Sequence, residues 1–207
     1  MKNIRSKVGW FFFAFFAIGV GLYPLIYVLI DRKLGLLASK TEALLGDVFW
    51  NVGFYGHIFF GGLALIVGWV QFSKRIRKSN LRLHRTVGKI YIIAALISGF
   101  CGLFIAMNAT GGLIPKVAFV GSALIWLYTT SNAFLAIRKG NVQSHQAFMI
   151  FSYAVCFSAV TLRFWLPLLT MVFQDFIVAY RITSWLSWVP NIFVAYYIVR
   201  KKGLLLV

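Results

Sequence analysis

Apolar and polar positions along this chain separate into six long runs and the short segments between them. Each run holds roughly twenty or more residues with almost no charge. About 30 Å of hydrocarbon requires that length of a helix rising about 1.5 Å per residue. The runs predict transmembrane helices over residues 8–30, 48–72, 86–108, 113–137, 147–173 and 178–199. The pattern predicts an all-α polytopic bundle of six helices forming a single integral membrane domain over residues 1–207. The first run is too long for the apolar core of a signal peptide, and no A-x-A site follows it, so it is read as a membrane helix.

Within the runs, small and polar residues recur at steps of three and four, which places them on one helical face. The fifth helix carries His145, Met149, Ser152, Cys156, Ala159 and Arg163 in this way. The third carries His84, Gly88, Tyr91, Ala95, Ser98 and Gly102, and the second His57, Gly61, Ala64, Gly68 and Gln71. Weaker stripes run along the fourth helix (Ser122, Trp126, Thr129, Ala133) and the sixth (Arg181, Ser184, Trp188, Asn191, Ala195). Small residues on one face predict close helix contacts. Packing alone does not call for the ionisable groups on these stripes.

Charge then fixes the orientation. The 207-residue chain has 21 Lys and Arg against 4 Asp and Glu, and a mean hydropathy of +0.85. Lys2, Arg5 and Lys7, the cluster between residues 74 and 85, Arg138 with Lys139, and residues 200–202 all fall on one side. Asp31, Glu42, Asp47 and Asp175 fall on the other. The positive-inside rule therefore predicts cytoplasmic N and C termini. The excess of positive charge encodes orientation and contact with anionic head groups, and gives no reason to invoke nucleic acid.

The polar groups fall into two layers. Gln71, His84 and His145, with Arg85 and Lys89 nearby, sit at the inner mouths of their helices. His57 and Arg163 lie in the outer half; Arg163 is roughly 24 Å above the predicted start of the fifth helix. Arg163, in "AVTLRFWLP", has no carboxylate within any predicted span. Three resolutions stay open. It snorkels to the outer head groups, towards Asp47 or Asp175. It bonds backbone carbonyls where Pro167 kinks the helix. Or it holds an anionic or carbonyl-bearing ligand.

His84 and His145 begin matched stripes on helices rising from the same side. Two neutral imidazoles facing a slot of small residues are what a single bis-histidine b-type haem requires. His57 has no histidine partner at its depth, which limits the chain to one such haem. Three histidines split across two layers make a poor zinc or copper set, so no metal site is expected. No catalytic residues are assigned, because the spans hold no carboxylate and no nucleophile–base pair. Cys101 and Cys156 differ in depth by about 9 Å on the helical rise and are expected to stay unpaired.

The segments "HIFFGGLALIVGWVQF", "LHRTVGKIYI", "SHQAFMIFSYA" and "AVTLR" together resemble a family of predicted prokaryotic multi-pass membrane proteins, domain of unknown function 2306, from about Gly53 to Asn191. The resemblance implies a bacterial cytoplasmic (inner) membrane protein and transfers no activity. It places His57, Gln71, His84, Arg85, His145 and Arg163 within the family's motifs. "LHRTVGKIYI" is also similar to the His-x-x-x-Gly helix start of b-type di-haem membrane cytochromes, which would make His84 a haem ligand. Three functions follow as expectations. The first is a haem- or quinone-linked electron-transfer protein, with His84 and His145 binding the cofactor. The second is a carrier or binding protein for a small anionic molecule, using Arg163, His57, Gln71 and Arg85. The third is a structural or accessory subunit. The bilayer is the expected partner, with a small anion, a lipid or a quinone as ligand.

Overall fold

The computed structural model describes residues 2–29 and 35–204. Asp31 and the predicted end of the first run at residue 30 lie outside them, as do the side chains of Lys2 and Arg5. The described residues are helical with no strand. Among the described residues, six spans are long and apolar enough to cross a membrane: Lys7–Leu25, Val48–Phe72, Leu81–Ala106, Leu113–Arg138, Val142–Phe173 and Phe176–Lys201. The side on which the first described span begins and the last ends, at Lys7 and Lys201, is called the terminal side; the other is the far side.

The first span is α1 (Lys2–Leu22), followed by a tighter turn at Tyr23–Leu25 and by α2 (Ile26–Leu29). On the far side lie a short turn at Gly35–Ser39 and α3 (Glu42–Gly46). The second span is α4 (Val48–Gly68), ending in a turn at Trp69–Phe72. A short basic helix, α5 (Lys74–Ser79), follows on the terminal side. The third and fourth spans are α6 (Leu81–Ala106) and α7 (Leu113–Arg138). The fifth is divided into α8 (Val142–Cys156) and α9 (Ser158–Phe173), and the sixth into α10 (Phe176–Leu186) and α11 (Val189–Lys201).

Side chains that accept from orphan N–H groups set the helix starts. Asn80 takes the Leu83 N–H at 2.8 Å, and Asn141 takes the Ser144 N–H at 3.0 Å. The third and fifth helices therefore start at residues 81 and 142, earlier than hydropathy indicates, because polar residues beyond the apolar run complete the first turn. His84 and His145 consequently sit inside helices.

The stripes face inward. Tyr91, Ala95, Ser98, Ala64, Gly68, Gln71, Met149, Ser152 and Cys156 are all buried. Glycines let α4 and α6 pack closely along their length: a Cβ on Gly61 would meet Ser98, one on Gly102 would meet His57, and one on Gly68 would strike the Tyr91 ring of α6 as well as the Tyr153 ring of α8. α6 packs on α7, and α7 on α8. α8 returns to α4 through the Tyr153 hydroxyl, which donates to the Leu65 carbonyl at 3.0 Å. At the centre the Ser152 hydroxyl stands 2.7 Å from both the Tyr91 and the Thr130 hydroxyls, joining three helices. Cys101 and Cys156 are both free thiols.

Ser152→Ala is expected to strand the Tyr91 and Thr130 hydroxyls and cost about 1–2 kcal/mol, between the penalty for an unmet buried group and the smaller values measured within bilayers. A thermal unfolding series in detergent tests this, and an unchanged transition would remove the triad from any structural role.

On the far side, the Lys40 amine donates to the Asn108 carbonyl at 2.6 Å and to the Thr110 hydroxyl at 2.9 Å. Burial, with Lys116 nearby, pushes the Lys40 amine from its ordinary 10.5 down to about 8. The unfolded chain therefore holds this proton more firmly across the window from about pH 8 to 10.5, and folding gains stability as pH rises through it. Unfolding temperatures measured across that window are expected to rise more for the wild type than for Lys40→Met; parallel curves would contradict the assignment.

Candidate functional site

Two polar clusters lie at opposite ends of the bundle. On the terminal side, Gln71 projects from the end of the second span onto the face of Gly88. Backbone groups orient its amide: the Gly88 N–H donates to the amide oxygen at 3.2 Å, and the amide nitrogen donates to the His84 carbonyl at 3.1 Å. That nitrogen lies 2.7 Å from His84 Nδ1. With the amide assigned from this network, Nδ1 of His84 accepts, and the neutral imidazole carries its proton on Nε2.

His145 has the opposite arrangement. Its Nδ1 lies 2.8 Å from the Ala133 carbonyl, which can only accept, so Nδ1 carries the proton and Nε2 keeps its lone pair. The two imidazoles belong to one mouth. Tyr91 and Ser152 meet across α6 and α8, and His84 and His145 lie seven residues back along the same two faces. His84 lies within electrostatic range of His145, Arg77 and Arg85. Arg85 is exposed and Arg77 half-buried.

This donor set does not fit a bis-histidine haem. Iron between two imidazoles takes a lone pair from each, whereas with these tautomers, assigned from the hydrogen-bond network, the two Nε2 atoms present one N–H and one lone pair. The glycine face expected to form the slot is covered: the Gln71 amide occupies the space over Gly88, and the His57 ring the space over Gly102. No step is therefore derived through haem.

On the far side, His57 of α4 and Ser98 of α6 bond reciprocally. The Ser98 hydroxyl donates to the His57 carbonyl at 2.8 Å, and His57 Nδ1 lies 3.0 Å from the Ser98 carbonyl, leaving Nε2 as an acceptor. Arg163 stands in the second turn of α9. It folds back towards the start of that helix, where its Nη1 donates to the Ala159 carbonyl at 2.9 Å. Its guanidinium lies 4.3 Å from the Tyr23 ring centroid. Its Nε is enclosed and has no partner. The titratable groups in range of it are His57, Tyr23 and Tyr27, with no carboxylate among the described residues.

The snorkelling expectation is overturned in its particulars. α9 runs towards the far side and helical side chains tilt towards the helix start, so Arg163 turns into the bundle. The two acids it was expected to approach are engaged as caps. Asp47 accepts from the Trp50 N–H at 2.9 Å, and Asp175 from the Ile177 and Val178 N–H groups at 2.7 and 3.1 Å. Stacking contributes about 0.5–2 kcal/mol and the charged hydrogen bond about 1.5–3, against roughly 2.5–3.5 to insert a central arginine. These contacts offset the insertion cost while, among the described residues, one protein oxygen accepts from the guanidinium, so donors are left over.

α9 continues through Pro167 without ending there. The fifth span breaks ten residues earlier, at Phe157, because a side chain from the sixth enters its hydrogen-bond ladder. Asn191 Nδ2 donates to the Ala154 carbonyl at 3.2 Å, the Thr161 hydroxyl at 3.2 Å and the Ser187 carbonyl at 3.0 Å. Thr161 also donates to the Ser187 carbonyl. The sixth span breaks at the same level, where Pro190 in the first turn of α11 withholds an N–H. Sequence reasoning missed Tyr23 and Thr161. A tyrosine beside Pro24 and a threonine two residues before Arg163 were visible, but their partners are distant in the chain.

Asn191→Leu is expected to destabilise by about 1–3 kcal/mol, as removal of one partner from buried carbonyls does. Thr161→Val should cost less, since the Ser187 carbonyl keeps Asn191. Thermal unfolding of both variants checks the ranking, and the reverse order would displace Asn191 as the clamp.

Residues 54–199 match the model of a family described as a predicted membrane protein, DUF2306. The match contains His57, Gln71, His84, Arg85, His145 and Arg163 and omits Tyr23. No curated protein and no solved structure matches the chain.

Proposed function

The chain belongs to the family of predicted membrane proteins termed domain of unknown function 2306, and on that footing we propose that it binds a small organic anion, as a carrier or binding protein, with Arg163 as the anchor. The observation that carries this reading is a half-buried arginine whose enclosed Nε has no partner and which has no carboxylate in range among the described residues. An anion that reaches this guanidinium gains charge-assisted hydrogen bonds that the protein leaves unmade. Tyr23 fixes the guanidinium plane. His57 Nε2, an acceptor, favours an anion that also carries a hydroxyl or N–H. The distribution of basic residues supports a bacterial cytoplasmic membrane with both termini inside, so this site opens towards the outer half.

The test is thermal stabilisation of the full chain in uncharged detergent by acetate, lactate and benzoate at constant ionic strength. A ligand at a hundred times its Kd stabilises a fold by about 2.7 kcal/mol. Stabilisation by at least one of these anions in the wild type, with normal insertion but no stabilisation in Arg163→Leu, is the expected outcome. Equal stabilisation of both proteins, or of neither, would overturn the reading; the second result favours a structural or accessory subunit.

A further inference from the structure

The terminal-side mouth is a second cluster, independent of Arg163. α6 and α8 both begin there, and the Tyr91–Ser152 hydrogen bond fixes their register two turns, about 10.5 Å, further in. His84 and His145 are carried to the rim on the same faces. Arg77 of α5 and Arg85 beside His84 bring two guanidinium groups into range. The described acids lie elsewhere: Glu42 in the first turn of α3, and Asp47 and Asp175 as caps of α4 and α10, all on the far side.

A basic rim by itself marks orientation and needs only charge. This rim has something charge does not require, a fixed proton. Gln71 is only 7% exposed, and its amide is held by two backbone groups of α6. A buried amide locked in that way is costly to leave unpaired. Here it sets one imidazole as a donor at Nε2, while the Ala133 carbonyl sets the other as an acceptor. Two cations, one neutral N–H donor and one lone pair make up a mixed hydrogen-bonding set. Phosphate oxygens match the donors, and Arg is suited to them by its planar fork. A hydroxyl elsewhere on the same ligand matches the acceptor.

We propose that this mouth binds a phosphate-bearing anion, with His84 Nε2–H, Arg77 and Arg85 donating to phosphate oxygens and His145 Nε2 accepting from a hydroxyl of the ligand. Gln71 is a positioning residue that acts through His84. The phosphate is either the head group of an anionic lipid or a soluble phosphate ester, and both sources present the same oxygens.

Two measurements test this on the full chain. Histidine-selective 15N spectra of the protein in uncharged detergent are expected to show His84 with its proton on Nε2 and the other two histidines with theirs on Nδ1. Gln71→Met should release His84 from that state, a change that a purely packing role for Gln71 would not produce. A wild-type His84 found with its proton on Nδ1 overturns the proposal. Binding is then followed by thermal shift with glycerol 3-phosphate, and in nanodiscs of phosphatidylcholine with or without phosphatidylglycerol. Losing one charge-assisted contact weakens binding about tenfold or more, and this is the effect expected of Arg77→Gln, a half-buried position on the short helix α5. Stabilisation by glycerol 3-phosphate that Arg77→Gln weakens identifies a soluble ester. Stabilisation by phosphatidylglycerol alone, weakened by the same variant, identifies a lipid head group. No stabilisation by either, or stabilisation that Arg77→Gln and Gln71→Met leave unchanged, overturns the site.

Discussion

The middle of a bilayer supplies no water, so a polar group there has to be satisfied by another part of the chain. The interior of this bundle is organised around that constraint. Ser152 meets two hydroxyls on two other helices, His57 and Ser98 exchange bonds in both directions, and Asn191 serves three oxygens with one amide. The glycines of α4 and α6 make the arrangement possible. Without Cβ atoms, the two helices approach closely enough for Gln71 and His57 to lie across the partner's backbone. Close packing and polar satisfaction are therefore one arrangement here, and a larger residue at Gly102 would disturb both.

Three histidines of the same residue type end in two proton states, and the difference lies in what touches Nδ1. A carbonyl beside Nδ1 in His57 and His145 demands a donor, whereas the Gln71 amide beside His84 supplies one. The sequence places His84 and His145 at matched points on matched stripes, and symmetry of position suggests symmetry of role. The structure keeps the first and removes the second.

Six spans and their inward faces were legible because both depend on local periods: hydropathy over some twenty residues, and recurrence at three and four. The inward stripes followed from residue size alone. Long-range features were not legible. Proline suggested a kink near residue 167, but the break at Phe157 is imposed by Asn191, 34 positions later, and no local pattern in the fifth helix encodes it. Arg163 drew attention as an arginine in an apolar run, yet its stacking partner Tyr23 lies on the first span, and the acids nearest in expectation were already needed at helix starts. The helix starts themselves were displaced by capping asparagines, which hydropathy reads as loop.

The coincident breaks in the last two spans belong to the assembled pair of helices. Taken singly, the fifth segment would have no Asn191 in its ladder, and the Ser158 N–H could close on the Ala154 carbonyl as in an unbroken helix. An unmet backbone group in hydrocarbon costs several kcal/mol, so each break needs the other segment beside it. Joined by the turn at Gln174 and Asp175, the two segments supply those partners to each other. The broken shape of the fifth span is thus a property of the pair and not of its own residues, and a chain cut between the two would restore a continuous fifth helix.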